Sequence, residues 1–456
     1  MRPLIEKSPS MTSSVDLSPD DSQRPLAIVS APGSRGDVNP MVAIGRQLRN
    51  RGFDVVISLA EPYAGLAESA GLTPVVAIDE KRFGELLGSP EVWRPLSGLQ
   101  IVLGGAASEY LVPHFELIQR LKRPGRTVLV SHPLDFASRI HRDLDPDTPL
   151  VDVVLSPMMI RDPNVPPRLS PWWFEPRKPP WLMRAGYWLG DHLLLDRYVG
   201  KSINNLRRSL SLPPVRRIMD RWWWSPDMIL SLYPDWFGAV APPSDGQWHP
   251  CGFPLDVNTF ARPRDGKAFA VDASQSKRPI FFTPGTAHRH AKKFFQMAID
   301  VCQTLGMPAI LATSHSDQLP TPLPPTIRGV GYVPLDQVLP HCSAIVHHGG
   351  IGTTAHAIAS ACPQVVLPMA FDQFHNGQRV QQLGLGRTLA KASKHSLAAA
   401  LSAILNESGL LQQCLAAAEK TLCRDGAEVA AEKIAECLGH RPSELAFNNS
   451  TNRSEG

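Results

Sequence analysis

The stretch Gly331–Asn376, GYVPLDQVLPHCSAIVHHGGIGTTAHAIASACPQVVLPMAFDQFHN, decides the fold of this chain. Its apolar runs predict a strand at Ala344–His347 and another at Gln364–Leu367. Between and after them lie a glycine-rich turn, a helix that opens near Thr353 and a polar loop, DQFHN. In an open α/β sheet, ligands bind outside the carboxyl ends of the strands, and glycine turns at helix N-termini receive phosphate. This order of elements therefore predicts one half of a nucleotide-sugar site.

Length and composition predict a globular chain of several domains. At roughly 100 to 200 residues per domain, 456 residues suffice for two or three domains. The apolar fraction of 43% and the charged fraction of 19% are typical of globular proteins. The net charge is +4, from 46 basic and 42 acidic residues, a balance that argues against nucleic acid as the main partner.

The cysteines and the absence of long apolar runs predict a cytoplasmic protein. Seven cysteines show no CxxC pair and no histidine spacing suited to zinc, so we expect reduced thiols and no metal. The first residues lack the apolar core of a signal peptide, and no uninterrupted run of about 18 apolar residues is present to span a bilayer. Any membrane contact is expected to be peripheral, at the inner face.

The chain divides into two α/β halves. Residues 1–23 and 441–456 are predicted to be disordered tails, since they are rich in polar residues. Residues 24–245 are predicted to form an N-terminal, acceptor-binding Rossmann-like domain, and residues 246–266 a linker. Residues 267–440 are predicted to form a C-terminal, nucleotide-sugar-binding Rossmann-like domain.

Strands and helices alternate in both halves. The N-terminal half opens with a strand and a glycine-containing loop, followed by a helix at Met41–Arg51 and a strand at Val55–Leu59, a βαβ unit. Further strands are predicted at Val128–Ser131, Val151–Leu155, Met228–Leu232 and Ala309–Ala312, and further helices at Ala291–Leu305, Leu397–Leu405, Leu410–Thr421 and Ala427–Leu438. The order of the strands within the first sheet does not follow from the pattern.

Five motifs, in this order, resemble inverting glycosyltransferases of family 1, which have the GT-B fold. They are GSRGDVNP, FTPGT, GYVP, HHGGIGTT and DQFHN, and the resemblance runs over roughly residues 27–438. Each motif alone is weak, but the ordered set is specific. Within the family, the chain is most similar to the bacterial rhamnosyltransferases that build rhamnolipids, then to sterol and antibiotic glycosyltransferases. The resemblance implies two Rossmann-like domains with parallel sheets that face a central cleft.

The candidate catalytic base is Asp37, which follows Gly36 after the first predicted strand. An alcohol is a poor nucleophile until a positioned base removes its proton. Many family members carry His or Asp at the matching position. This chain has Asp, so we expect that the His–Asp relay of plant relatives is not reproduced and that the carboxylate acts directly. The alternative is an N-cap or loop aspartate before the helix at Met41.

The departing nucleoside diphosphate needs fixed hydrogen-bond donors, and N–H groups at a helix N-terminus supply them. The residues that suit this role at the glycine turn are Gly349, Gly350, Gly352 and Thr353. The resemblance implies that His348 reaches the diphosphate and that Gly285 and Thr286 contact it from the preceding loop. We expect His347 to face inward as a core residue.

The resemblance also implies the residues that hold the base. Tyr332 corresponds to the base-stacking aromatic residue, and the backbone of Val333 binds the base edge. Leu335 and His356 stand where plant relatives have Gln and Glu on base and ribose. This departure permits a deoxythymidine (dTDP) donor as well as a uridine (UDP) donor. The nucleotide sugar is expected as a co-substrate, with no bound cofactor.

Asp372 and Gln373 match the acidic and amide pair that binds sugar hydroxyl groups, and Asn376 follows at the family spacing. The alternative for this pair is a solvated turn. For the acceptor, the proline-rich segment before residue 180 carries Trp172, Trp173 and Phe174 among basic residues. These aromatic residues suit a hydrophobic acceptor or a lipid interface, or they only pack on the domain.

Three classes of function fit these patterns. The first is an inverting transferase that moves a hexose or deoxyhexose, such as rhamnose, to the hydroxyl of a hydrophobic acceptor such as a hydroxy-fatty-acid lipid, with sterol or natural-product glucosyl transfer as an alternative. The second is a nucleotide-sugar epimerase that shares the architecture. The third is a catalytically idle nucleotide-sugar-binding protein. An acceptor-side Asp37 before an aromatic region favours the first.

Overall fold

The protein folds around two parallel β-sheets, each covered by helices. The computed structural model describes residues 23–88, 90–93, 95–162, 179–238, 246–257, 260, 277–285 and 291–439. Within these residues, one sheet has seven strands and the other six, and all the pairs between neighbouring strands are parallel. The predicted α/β class with two parallel sheets is confirmed.

The strands of the N-terminal sheet are β1 (Leu26–Ala31), β2 (Asp54–Ala60), β3 (Thr73–Ile78), β4 (Thr127–Ser131), β5 (Leu150–Val154), β6 (Met228–Ser231) and β7 (Gln247–Pro250). Its helices are α1 (Arg35–Asn50), α2 (Ala64–Ser69), α3 (Glu80–Leu87), α4 (Pro95–Leu99), α5 (Ala107–Leu121), α6 (Ala137–Leu144), α7 (Pro180–Gly190) and α8 (Asp196–Ser209). Strand β7 lies within the predicted linker, which its short, polar sequence did not indicate.

The strands of the C-terminal sheet are β8 (Ile280–Thr283), β9 (Ala309–Ala312), β10 (Ile327–Val330), β11 (Ala344–His347), β12 (Gln364–Val366) and β13 (Gly386–Thr388). The helices that follow residue 290 are α9 (Lys292–Leu305), α10 (Leu335–Val338), α11 (Ile351–Ala359), α12 (Gln373–Gln382), α13 (Lys394–Asn406), α14 (Leu410–Leu422) and α15 (Gly426–Cys437).

Both sheets have the same strand order, with a reversal in the middle. The N-terminal order is β3-β2-β1-β4-β5-β6-β7, and the C-terminal order is β10-β9-β8-β11-β12-β13. The chain therefore reverses direction across the sheet between β1 and β4, and again between β8 and β11. Loops at such a switch point diverge and leave a crevice at the carboxyl edge, where ligands of open α/β sheets bind.

Two helix starts differ from the prediction. Helix α1 begins at Arg35 rather than near residue 41, because Ser34 and Asp37 form a capping box and Pro40 is accommodated inside the helix. The predicted polar loop DQFHN is instead the start of α12, which Asp372 precedes as the N-cap residue. The sequence did not predict this helix, because its first turn is polar and little apolar periodicity precedes Val380.

The last described helix crosses back to the N-terminal domain. The predicted C-terminal domain includes α15, but this helix packs its alanines and Ile434 into the core around β1 and α1. The backbone N–H of Gly426 donates to the carbonyl of Phe253 at 2.9 Å. Arg379 also joins the domains, since its guanidinium donates to the carbonyls of Phe237 and Trp236 at 2.8 and 3.0 Å.

Candidate active site

Four segments at the two switch points carry part of the candidate site. In the N-terminal sheet, the connection after β1 carries Asp37, and the loop after β4 carries His132. In the C-terminal sheet, the loop after β8 carries Gly285, and the loop after β11 carries His348. Strands β8 and β11 end in register, so the last two loops leave the sheet side by side.

Asp37 lies in the first turn of α1, with both carboxylate oxygens hydrogen-bonded. One oxygen, Oδ2, accepts from the backbone N–H and the hydroxyl of Ser34 at 2.8 and 2.9 Å. The other oxygen, Oδ1, lies 3.4 Å from Nε2 of His132. The capping role that the sequence left open is therefore real, at the third helical position, yet the side chain stays 34% exposed. A capped carboxylate that still reaches solvent is available to a substrate.

His132 is a partner of Asp37 that the sequence did not reveal. Its ring is 4% exposed, and its Nδ1 accepts the backbone N–H of Leu134 at 3.1 Å. With Nδ1 as the acceptor, the proton is on Nε2, which donates to Asp37. The direct action of the Asp37 carboxylate as base stays a prediction. The pairing with His132 was not predicted because it depends on β4 lying beside β1, and strand order did not follow from the sequence.

The charge state of Asp37 follows from these contacts. Burial alone would raise the pKa of Asp37, but the hydrogen bonds from His132 and Ser34 bring the pKa below its ordinary value. The carboxylate is therefore ionised near neutral pH and ready to accept a proton.

The loop after β4 is held rigidly. Asp135 accepts N–H groups of Ala137 and Ser138 at 2.9 and 3.1 Å, and its other oxygen lies 3.2 Å from Nε2 of His114. Burial opposes ionisation of Asp135, but the charge and hydrogen bond of His114 lower its pKa to about 2. The indole of Trp223 donates to the carbonyl of Pro133 at 2.6 Å. These contacts fix the loop that presents His132.

The paired histidines at the end of β11 differ in burial, and His347 is a core residue as predicted. His347 is fully buried, and its ring bridges Gln364 and the backbone N–H of Gly349 at 3.0 and 3.1 Å. Burial, with the neighbouring His348, lowers the pKa of His347 to about 3, so it is a neutral core residue. His348 is half-buried at the mouth of the turn.

Two glycines leave room for the His348 ring. A Cβ on Gly285 would lie 2.6 Å from the ring, and a Cβ on Gly350 would lie 2.5 Å from its Nε2. Gly285 also has a φ of +91°, which favours glycine. The loops after β8 and β11 therefore meet at this ring, as the predicted diphosphate site requires.

The start of α11 presents backbone donors beside His348. Gly350 is the N-cap residue, and the first intrahelical bond runs from the N–H of Thr354 to its carbonyl at 3.0 Å. The N–H groups of Ile351, Gly352 and Thr353 therefore have no carbonyl partner within the helix. Gly352 is exposed, with nothing within 4 Å of a Cβ placed there. This is a suitable cradle for an anion.

Asp372 and Asn376 lie where the C-terminal domain meets the N-terminal domain. Nδ2 of Asn376 donates to Asp372 at 2.7 Å and to the carbonyl of Gly349 at 2.9 Å. The hydroxyl of Ser156, which lies just after β5, donates to Oδ1 of Asn376 at 3.2 Å. Burial raises the pKa of Asp372 to about 6, and the negative charge of Asp37 adds to the rise against the hydrogen bond from Asn376. The charge of a carboxylate in one domain therefore affects the pKa of a carboxylate in the other.

Gln373 is turned away from this group. Its side chain is 4% exposed, and its Oε1 accepts the backbone N–H groups of Met369 and Ala370 at 2.9 and 3.1 Å. The oxygen thus shapes the loop after β12. Any contact of Gln373 with a sugar is left to its Nε2.

The predicted base-binding residues lie at the far end of the same edge. Tyr332 follows β10 and is 58% exposed, and Val333 packs against the core cluster that contains Val338 and Leu339. The guanidinium of Arg35 lies 4.3 Å from the centre of the Tyr332 ring, so the N-terminal domain covers one ring face. The ring of His356 stacks on Phe260 at 5.9 Å, and burial lowers its pKa.

Several predicted residues fall outside the described residues or elsewhere. Thr286, Trp172, Trp173 and Phe174 lie outside the described residues. The neighbouring triplet Trp222, Trp223 and Trp224 is 6 to 9% exposed and packs in the core. Across the described ranges, no group of three or more His, Cys, Asp or Glu side chains is arranged to hold a metal ion. In the same ranges, no helix is both long and apolar enough to cross a bilayer.

Comparison with known proteins gives consistent similarities. Residues 304–436 match the family described as erythromycin biosynthesis protein CIII-like, C-terminal domain. The chain is 26% identical over 433 residues to O-mycaminosyltylonolide 6-deoxyallosyltransferase of Streptomyces fradiae, covering 89% of this chain and 95% of that relative. The predicted similarity to rhamnolipid rhamnosyltransferases stays a prediction.

Solved structures share the whole fold. The glycotransferase of kitacinnamycin superposes with a TM-score of 0.68 at 19% identity, covering 91% of this chain and 100% of that one. The spinosyn rhamnosyltransferase SpnG, solved with thymidine diphosphate, gives a TM-score of 0.62 at 19% identity, covering 90% of this chain and 99% of that one. At such identities, the likeness concerns the fold.

Proposed function

Because this chain is a glycosyltransferase with the GT-B fold, we propose that it moves a deoxyhexose, such as rhamnose, from a deoxythymidine diphosphate sugar to a hydroxyl of a hydrophobic acceptor. The observation that carries the proposal is the Asp37–His132 pair, together with Asp372 of the other domain, whose pKa responds to the charge of Asp37. A proton acceptor on one wall and a sugar-binding carboxylate on the other bracket the space in which an acceptor hydroxyl would meet an anomeric carbon.

The acceptor half of the reaction belongs to Asp37. Its carboxylate takes the hydroxyl proton as the acceptor oxygen forms a bond to the anomeric carbon, on the face opposite the leaving diphosphate. The bond from the anomeric carbon to the diphosphate oxygen breaks with its electron pair, so the configuration inverts. His132 holds the carboxylate in position through Nε2–H.

The donor half belongs to the loops after β8 and β11. The departing diphosphate gains negative charge, which the free N–H groups at the start of α11 stabilise without reorganisation. His348 adds a ring at the same point, between Gly285 and Gly350. Asp372 accepts hydrogen bonds from the sugar hydroxyl groups, and the fully buried Asn376 holds its carboxylate in place.

Two observations support deoxythymidine and a deoxysugar. His356 stacks on Phe260 where plant relatives have a ribose-binding carboxylate, so no acidic side chain is offered to a 2′-hydroxyl at that position. The relative from Streptomyces fradiae is a 6-deoxyallosyltransferase, and the spinosyn enzyme is a rhamnosyltransferase solved with thymidine diphosphate. That first relative also favours a second candidate acceptor, a natural-product aglycone in place of a hydroxy-fatty-acid lipid.

The test substitutes the proposed base. Asp37→Asn should reduce transfer by several orders of magnitude, because general-base catalysis contributes roughly 10²–10⁴-fold. Binding of deoxythymidine diphosphate should persist within about threefold, as read by its stabilisation of the native state in thermal denaturation. Product is measured by mass spectrometry over a panel of nucleotide sugars with hydroxy-fatty-acid, sterol and macrolide acceptors. A fully active Asp37→Asn variant would exclude Asp37 as the base.

The donor is tested separately. Deoxythymidine diphosphate should raise the melting temperature of the wild-type chain more than uridine diphosphate does at equal concentration. A larger response to the uridine nucleotide would overturn the donor assignment and leave the base assignment standing. No response to either nucleotide would argue against nucleotide-sugar binding altogether.

A further inference from the structure

A row of large apolar side chains stands exposed on the N-terminal domain. Helix α7, a π-helical turn at Asp191–Leu195 and helix α8 form one continuous helical segment from residue 180 to 209. Helix α7 has no buried residue. The exposed large side chains of this segment are Trp181 at 65%, Leu182 at 37%, Trp188 at 51%, Leu189 at 50% and Leu193 at 58%. We call these five side chains the tryptophan face.

The tryptophan face is one contiguous stripe. Positions 181 and 188, and positions 182 and 189, are seven residues apart, and positions 189 and 193 are four apart, spacings that place side chains on one side of a helix. The ring of Trp188 packs on His192 one turn later, with centroids 4.3 Å apart, so the stripe continues into the π-helical turn. A contiguous exposed apolar surface of this kind indicates a binding surface, whereas apolar side chains exposed singly do not.

The charges around the tryptophan face indicate the kind of partner that it binds. The exposed charged side chains between residues 180 and 209 are all cationic: Arg184, Arg197, Lys201 and Arg208. The two carboxylates of the segment are turned inward. Asp191 is 1% exposed and pairs with Arg161 at 2.6 Å, and Asp196 accepts backbone N–H groups of Arg217 and Ile218 at 2.8 and 3.0 Å.

From this arrangement we propose that the tryptophan face docks on the surface of an anionic phospholipid bilayer. Tryptophan prefers the boundary between acyl chains and headgroups, and cations flanking an apolar stripe attract anionic headgroups. A second copy of the chain fits poorly, because a two-fold contact would bring the same cations together. The segment thus lies in the plane of the membrane and does not cross it.

The tryptophan face is connected to the site by a short segment of chain. Arg161, which pairs with Asp191, lies five residues after Ser156, the residue that contacts Asn376. Five residues span at most about 18 Å. Docking therefore places the mouth of the cleft within reach of an acceptor held in the bilayer. This consequence rests on the proposed function, whereas the docking itself does not.

Vesicle flotation of the full chain tests the docking. The wild-type chain should float with phosphatidylcholine vesicles containing about 30% phosphatidylglycerol, and the bound fraction should fall when salt is raised to about 0.5 M. Trp181→Ser, Trp188→Ser and Leu193→Ser together should lower the partition coefficient by about tenfold or more, since each removes buried apolar area. The matched control is Leu411→Ser with Leu415→Ser, two side chains that are 56% and 47% exposed on α14.

The possible results distinguish membrane docking from a protein–protein contact and from failure of the proposed function. The triple variant should keep wild-type transfer to a water-soluble acceptor, because none of its residues lies in the cleft. Failure of the wild-type chain to float, or an equal loss in the control variant, overturns the docking proposal. Self-association of the wild-type chain in sedimentation velocity that the triple variant abolishes overturns it in favour of a protein–protein contact. An inactive chain that still floats would leave docking intact and count against the proposed function alone.

Discussion

At the scale of single residues, the carboxylates of Asp37 and Asp372 set the pH response. The pKa of Asp372 is about 6, so this group loses its charge as the pH falls through 6. We expect the affinity for the nucleotide sugar to fall over the same range, because a carboxylate accepts sugar hydroxyl groups better than a carboxyl does. Calorimetric titration with the nucleotide sugar, without acceptor, measures this profile.

Two variants check whether protonation of Asp372 causes this fall in affinity, seen as an inflection in the pH profile. Asp372→Asn should remove the inflection. Asp37→Asn should move it to lower pH, because the like charge that helps raise the pKa of Asp372 is gone. An unchanged inflection in Asp37→Asn would mean that the two side chains do not interact.

His132 provides a second prediction at this scale, as a positioning residue. His132→Ala should lower kcat by about 10- to 100-fold, since a hydrogen bond to a charged group contributes about 1.5–3 kcal/mol. The KM for the nucleotide sugar should stay within about threefold, because His132 faces Asp37 and not the donor loops. His132→Gln keeps an N–H donor and should recover much of the loss in steady-state assays. Equal losses in kcat and in donor KM would instead indicate general disruption.

At the scale of elements, the start of α11 is built around the missing side chain of Gly350. Gly350→Ala places a Cβ 2.5 Å from Nε2 of His348, with an ordinary backbone conformation that alanine accepts. The ring must move, so we expect about 10- to 100-fold weaker binding of deoxythymidine diphosphate, the effect of a lost charged hydrogen bond. Calorimetry gives the dissociation constant.

Gly352→Ala is the matched control for that loop. It adds the same methyl group two residues later, in the first turn of α11, where nothing lies within 4 Å, and it keeps the backbone N–H proposed to meet the diphosphate. Because that donor is retained, binding should change by less than about threefold, and the melting temperature should hold or rise, since alanine favours the helix. Similar losses in both variants would contradict the assigned place of His348.

The elements also mark how far the sequence alone can lead. Strand β9 and the start of α11 follow from apolar runs and glycine placement, which are local properties. The start of α1 was missed because Gly36 and Pro40 look like loop residues, although the capping box outweighs them. His132, Ser156 and Arg35 were missed because each meets its partner only through strand order or domain closure. For His132, the one local sign in the sequence was its position directly after a buried strand.

At the scale of the whole molecule, the N-terminal domain depends on the last described helix. Ile434 of α15 is fully buried in the core around β1 and α1. Ile434→Ala should lower the free energy of unfolding by about 2–5 kcal/mol, because a buried methyl-bearing side chain is replaced by a cavity. Hydrogen exchange read by mass spectrometry should show faster exchange in α1, far away in sequence.

The control lies on the neighbouring helix. Leu411 is 56% exposed on α14, so Leu411→Ala should change stability by less than about 0.5 kcal/mol and leave exchange in α1 unaltered. If Ile434→Ala instead loosened only the helices around β8 to β13, α15 would belong energetically to the C-terminal domain.

The crossing of α15 also bears on how the chain is made. During synthesis, α1 leaves the ribosome early, and the helix that covers it is among the last described parts to emerge. Domains generally fold as units while the chain grows. Here the C-terminal domain can complete its core first, and the N-terminal domain must wait for α15 with part of its apolar surface open. A nascent chain stalled before residue 426 would therefore carry a finished second domain and an unfinished first one.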